Sequence, residues 1–277
     1  MKALFAVLIL AAAGLHSDPA FAQKSSKLRA DRIQIAYAPP KNPDHEPIFR
    51  LMKERQVLEK FKEFLSPLRL PRALRLKFEG CDGESNAWYG DDAITVCYEY
   101  IDDIFRNAPR ETTPAGVTRT DAILGPTLDV FLHEVGHAVF DYLDVPITGR
   151  EEDVADQFAT YLLLQFAKSD ARRLILGVAY SYNLDASKPS TKKNPFADEH
   201  GLPAQRFYNS LCMAYGADEK LFADLIEKGY LPKERAEGCA DEYDQVVRAM
   251  TKLIRPYIDE TRAKRVREKQ WLKFDIQ

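Results

Sequence analysis

Apolar and polar residues change their period several times along this chain, and each change predicts an element. From Arg32 to Ala38 they alternate, as in a half-buried strand. Pro39-Pro40-Lys41-Asn42-Pro43 is a loop. Between Pro47 and Leu65 the apolar positions Ile48, Leu51, Met52, Val57, Leu58, Phe61 and Leu65 fall at helical spacing and predict one amphipathic helix. Arg72 to Phe78 reads as a second strand. Asn86–Tyr89 and Ala93–Tyr98 are two short strands joined at Gly90-Asp91-Asp92, which suits a hairpin turn. A short helix begins at Tyr100 and fades after Phe105, and Arg110 to Gly116 is a loop. The order β-α-β-β-β predicts a small mixed sheet.

The pattern then turns helical. Gly125-Pro126 is read as a helix start, because proline is tolerated in a first turn, and Pro146 ends that helix after about Leu143 or Asp144. Thr148-Gly149-Arg150-Glu151 has the form of a capping box and predicts a new helix running to about Ala167. Ala171 to Tyr182 is a further helix, and Asp185 to Asp198 a polar loop. Helices follow at Gln205–Tyr215, at Glu219–Lys228 with Gly229 as its cap, and at Cys239–Ile254, which the charged Asp259–Lys273 stretch extends. The basic run Arg262-Ala263-Lys264-Arg265 reads as a solvated helix face. There is no internal repeat. The fold class is therefore α+β: a small mixed N-terminal sheet packed on a central helix, and a mainly helical C-terminal lobe.

Composition adds a compartment. Met1-Lys2, the apolar run from Ala3 to Leu15 and Ala20-Phe21-Ala22 form a signal peptide over residues 1–22, with an apolar stretch too short to span a membrane. Residues 23–277 are then a single exported domain, periplasmic or secreted, with an N-lobe over about 30–145 and a C-lobe over about 146–277, and no transmembrane segment. The net charge of −3, with both signs mixed, gives no argument for nucleic acid. The cysteines Cys81, Cys97, Cys212 and Cys239 are even in number, which in an exported chain favours disulfides; the local pairing Cys81–Cys97 and Cys212–Cys239 is expected.

The chemistry concentrates at residues 133–137, H-E-V-G-H. On a helix, His133 and His137 share a face about 6 Å apart along the axis, so both imidazoles can hold one metal ion. Glu134 lies beside that metal, placed to act as general base on a bound water. The flanks Val130, Phe131, Leu132, Val135, Ala138, Val139 and Phe140 are so apolar that unpaired histidines there would be costly. A catalytic zinc needs a third protein ligand and one open position. Glu152 in the first turn of the next helix fits, with Glu151 as the fallback. Asp156, one turn on, is placed to bond the free ring nitrogen of a ligand histidine.

H-E-V-G-H followed by E-D-V-A-D resembles the H-E-x-x-H plus E-x-x-A-D pattern of gluzincin peptidases of the HtpX and prenyl-protein-protease type, in which that Glu is the third ligand and that Asp supports the site. The chain resembles more closely an exported bacterial metallopeptidase family of unknown function. The resemblance is carried by C-D-G-E-S-N-A-W-Y, I-T-V-C-Y-E-Y, G-R-E-E-D-V-A-D-Q-F-A, D-E-H-G-L-P-A-Q-R-F-Y-N-S-L-C-M-A-Y-G and L-P-K-E-R-A-E-G-C, which cover most of residues 77–245. It implies a zincin-like fold and one zinc ion per chain. Gluzincins carry a His or Tyr across the cleft that stabilises the oxyanion. His200 is the candidate for that role, with Tyr208 and Arg206 as weaker ones. The N-A-W-Y strand resembles the edge strand on which zinc peptidases lay a substrate backbone, which makes Asn86 and Ala87 candidate substrate-binding residues; the alternative is an ordinary hairpin strand with Trp88 in the core.

The sequence thus points to a zinc peptidase acting on a peptide or protein, with Glu134 as general base. The alternatives are an exported non-catalytic protein that keeps zinc for stability or partner binding, and a hydrolase of non-peptide amides.

Overall fold

The computed structural model describes residues 28–190 and 193–272; the expected signal peptide lies outside them. Four strands build one mixed sheet: β1 (Ile33–Tyr37), β2 (Leu74–Glu79), β3 (Ala87–Gly90) and β4 (Ala93–Cys97), in the order β1-β2-β4-β3. β1, β2 and β4 are parallel, and β3 is antiparallel to β4. The two central strands are the most apolar: Leu74, Leu76, Phe78, Ile94 and Val96 are fully buried. β3 therefore lies at an edge. Asp91 and Asp92 in its turn both take positive φ (52° and 57°), the conformation a tight hairpin needs.

Helices α1 (Glu46–Glu54), α2 (Val57–Phe64) and α3 (Tyr98–Asn107) pack with the sheet, followed by the long helix α4 (Arg119–Leu143). Phe131 of α4 joins these layers, its ring 4.5 Å from Phe61 of α2 and 5.1 Å from Phe78 of β2. Then come α5 (Glu151–Leu163), α6 (Lys168–Ser187), α7 (Pro203–Ala217), the short α8 (Asp224–Glu227) and α9 (Lys233–Ala236), α10 (Cys239–Leu253) and α11 (Glu260–Glu268). The fold is α+β, with a small mixed sheet and a helical C-terminal half. Cys81 and Cys97 stand at disulfide distance, as do Cys212 and Cys239. No helix among the described residues is long and apolar enough to cross a membrane.

Several elements depart from the pattern in the sequence, each for a local reason. The helix expected over Pro47–Leu65 breaks at Gln56, which takes φ 51°. The Leu58 amide bonds the Tyr37 hydroxyl (2.8 Å), and the redirected second half buries Leu58 and Phe61. α4 starts at Arg119, not Gly125. Thr118 and Asp121 form a reciprocal capping box, and Pro126 lies inside the helix. The capping box expected at Thr148 does not form: α5 starts at Glu151 with no side-chain cap. α6 runs into the stretch expected to be a loop. The helix expected over Glu219–Lys228 shrinks to α8, because Asp218 takes the Leu221 amide and the Leu225 and Ile226 amides close three-residue turns onto Phe222 and Ala223. The chain after α10 turns at Arg255–Tyr257, around Pro256, and restarts as α11 under an Asp259 cap.

Two glycines set the helix spacing. A Cβ on Gly177 of α6 would lie 2.0 Å from the Asp121 carbonyl oxygen, and one on Gly125 of α4 2.6 Å from the Leu174 carbonyl oxygen. The two backbones touch there, and Arg173 clasps the same turn through Asp121 (2.7 Å). Gly177→Ala must push α6 off α4 and is expected to destabilise the chain by more than ~2 kcal/mol. Urea denaturation checks this, and an unchanged midpoint would contradict the packing described.

Candidate metal centre

The site forms where α5 folds back on the second half of α4. Gly136 permits the approach: a Cβ there would already lie 3.3 Å from the Cα of Ala155. The return brings the acidic first turns of α5 under the histidine face of α4. His133 Nε2 and His137 Nε2 are 3.2 Å apart, and Glu152 Oε2 lies 3.0 Å from the first and 3.4 Å from the second. Each ring is held from behind. His133 Nδ1 meets Asp156 Oδ1 at 2.8 Å, and His137 Nδ1 meets Glu151 Oε1 at 2.8 Å. Arg206 of α7 grips Asp156 with both arms of its guanidinium (2.7 and 2.6 Å).

The proton count decides what this arrangement can do. A carboxylate at each Nδ1 assigns the ring proton to that nitrogen, so in the neutral tautomer both Nε2 atoms present bare lone pairs. Those lone pairs face one another and a carboxylate oxygen. Three electron-rich atoms in mutual contact are stable only with positive charge among them, supplied by protons or by a metal ion. The same tension sets the titration of the metal-free chain. Burial opposes charge on His133, yet Asp156 and Glu152 outweigh it and push its pKa up to about 9. Hydrogen bonds from His133, His137 and His200 hold the Glu152 carboxyl far below the usual carboxylate range. Two imidazoles and one carboxylate are a donor set that suits zinc, so these residues fit the ion.

Glu134 is buried beside the histidines, facing the cleft. Burial pushes its carboxyl up, while His133 and His137 pull it back. The cleft has a volume of about 1080 Å³ and runs between β3, α4, α6 and the segment before α7. Ala87 and Asn86 line it. The Asn86 side chain is engaged locally: its oxygen accepts from the Ala87 amide and its nitrogen donates to Glu84. Trp88 is 37 % exposed on the cleft wall, so it is not a core residue.

His200 also reaches the site, with Nε2 2.9 Å from Glu152 Oε2 and Nδ1 3.4 Å from Asp198. It stands on Glu152, outside the three-donor cluster. Arg206 is committed to Asp156, and Tyr208 packs against Phe207 away from the lining residues, so neither is placed to meet an oxyanion. Glu151 supports His137 instead of joining the donors.

Sequence reasoning missed Asp129. It is one turn before His133 on the same helix face, so the spacing carried the signal. The Tyr182 hydroxyl donates to it at 2.8 Å, and burial pushes its pKa up to about 6.

A family model described as "Putative metallopeptidase" matches residues 37–254, and the chain belongs to that family. No curated protein and no solved structure matches it.

Asp129 should lower stability at neutral pH. Its folded pKa lies above the ordinary value of 3.8, so the folded chain holds the proton more tightly than the unfolded one. The cost is absent below the ordinary value, grows as pH rises and is complete above about 6. Asp129→Asn, which keeps an acceptor for Tyr182, is expected to gain up to ~3 kcal/mol at pH 7.5 and almost nothing at pH 3.5. Urea denaturation with a chelator present measures both; an equal gain at the two pH values would refute the assignment.

Proposed function

We propose that the chain is a zinc-dependent peptidase of gluzincin type, with His133, His137 and Glu152 holding one zinc ion and Glu134 as general base. The observation that carries this reading is the convergence of two imidazole nitrogens and one carboxylate oxygen within about 3.4 Å of one another, beside a buried glutamate that none of them bonds. Zinc, when bound, supplies a Lewis acid that lowers the pKa of water and polarises a carbonyl. The chain does the rest. Asp156 and Glu151 keep the protons on the outer ring nitrogens and so keep the inner ones free. Arg206 fixes Asp156, which keeps the His133 ring aimed. Glu134 takes a proton from the attacking water and returns it to the leaving amine, and its buried, upward-shifted carboxyl suits both directions of transfer.

The edge position of β3 supports a peptide as substrate. An extended chain can pair with the free edge through its backbone and pass beside Glu134. His200 would turn from Glu152 to steady the oxyanion. A non-catalytic structural site would call for a fourth protein ligand; among the described residues the donor set is three, which favours a position left for water and substrate. The signal peptide read at residues 1–22, together with the two cysteine pairs, supports export to the periplasm or beyond.

Glu134→Gln is expected to keep one zinc per chain and to lose at least ~100-fold in peptide hydrolysis. Metal analysis paired with a peptide-library digest measures both, and parental cleavage rates in that variant would sink the mechanism. His133→Ala is expected to lose stoichiometric zinc, and a full metal content there would refute the ligand assignment.

A further inference from the structure

Asp129, His133 and His137 form one row on α4, four residues apart each time, and Asp129 lines the same cleft about 6 Å before the first histidine. Its side chain is almost wholly buried, with 7 % exposure. Tyr182 occupies one carboxylate oxygen, and the other has no hydrogen bond among the described residues. Pro126, Val130 and Ser181 line the same cleft. A carboxylate so placed calls for a cation. The cations nearby make their hydrogen bonds elsewhere, although Arg206 and His133 favour the Asp129 charge from a distance. Arg206 gives both arms to Asp156 and stacks on the Tyr182 ring, 4.5 Å from its centroid. Lys188 bonds Asp185 at 2.9 Å. His133 answers Asp156 and Glu152.

The sheet edge says which substrate residue would reach this carboxylate. Asn86 bonds across to Cys97, so the alternation of an antiparallel pair turns the backbone groups of Ala87 and Tyr89 away from β4, where the Ala87 amide meets the Asn86 side chain and the Tyr89 amide meets Glu134. Ser85, just before β3, shares a small cavity with Tyr100 and Pro126, which puts the start of β3 at the Asp129 end of α4. A peptide running antiparallel to β3 has its C-terminal side there.

We propose that a substrate pairs antiparallel with β3, and that Asp129 then determines specificity in this cleft by selecting peptides with lysine or arginine immediately after the scissile bond. This rests on the peptidase reading above. A cationic side chain at that position meets the open carboxylate oxygen in a buried setting, and an acidic one meets an unanswered like charge.

The test uses the zinc-loaded full chain. In the Glu134→Gln background, calorimetry compares three peptides of identical sequence with lysine, norleucine or glutamate at the varied position. Lysine is expected to bind at least tenfold tighter than norleucine, with glutamate weakest. Adding Asp129→Asn should erase the lysine advantage while norleucine affinity and zinc content hold. A library digest by the parent should show cleavage before lysine and arginine. Equal binding of lysine and norleucine peptides to the Glu134→Gln chain overturns the assignment without needing a variant at 129. So does a basic preference confined to the residue preceding the cut. Undiminished hydrolysis by Glu134→Gln overturns the peptidase reading instead, and failure to bind any of the three peptides overturns both.

Discussion

Three donor atoms held within about one hydrogen-bond length of each other cannot all keep their lone pairs without a positive charge between them. The rest of the structure is arranged so that this contact survives. Left alone, the two imidazoles would turn outward, and the glutamate would swing to solvent. Asp156 and Glu151 prevent the first by fixing the outer nitrogens, and the fold of α5 against α4 prevents the second. The strain is electrostatic and local, and a divalent cation relieves it at once.

The tolerances required are set by backbone, not by side chains. Gly136 lets Ala155 close to contact, and Gly125 and Gly177 do the same for α6, which carries Tyr182 up to Asp129. α7 then supplies Arg206, whose guanidinium ties Asp156 on one side and covers Tyr182 on the other. A continuous path of contacts therefore runs from His133 through Asp156, Arg206 and Tyr182 to Asp129. Among the described residues each buried charged group in it is hydrogen-bonded through its facing atoms, except one oxygen of Asp129, whose charge Arg206 and His133 favour only from a distance. A network so nearly complete makes its one unanswered oxygen informative.

The motif and its partners were legible because helical periodicity converts spacing into a shared face. His133, His137, Glu152 and Asp156 could all be placed that way, and the alternation of β1 and β2 gave the sheet. What could not be read was anything decided by a distant contact. Gln56 breaks a helix because Tyr37, far upstream, takes the Leu58 amide. Thr148-x-x-Glu151 has a capping box's residues, but Glu151 is drawn to His137, so the box does not close. Pro126 suggested a helix start because the stronger signal, Thr118 with Asp121, lay about two turns further back than expected. Arg206 was considered for the cleft, and its true partner was an aspartate already assigned.

Asp129 separates two ways of explaining a buried carboxylate. If it served only to anchor Tyr182, an asparagine or glutamine acceptor would do so at less cost, since the fold raises this carboxyl's pKa and loses stability whenever it ionises near neutral pH. Its position on the row of metal-binding histidines, with one oxygen open to the cleft, gives that cost a purpose. The charge is disfavoured in the empty cleft and answered when a cationic side chain arrives. Selectivity would then come from the contact that a cationic side chain makes with this carboxylate, which relieves a cost the folded chain already carries. The metal donors a turn away differ in that ring protons on His133 and His137 answer Glu152 in the metal-free chain, and a metal ion would take the place of those protons.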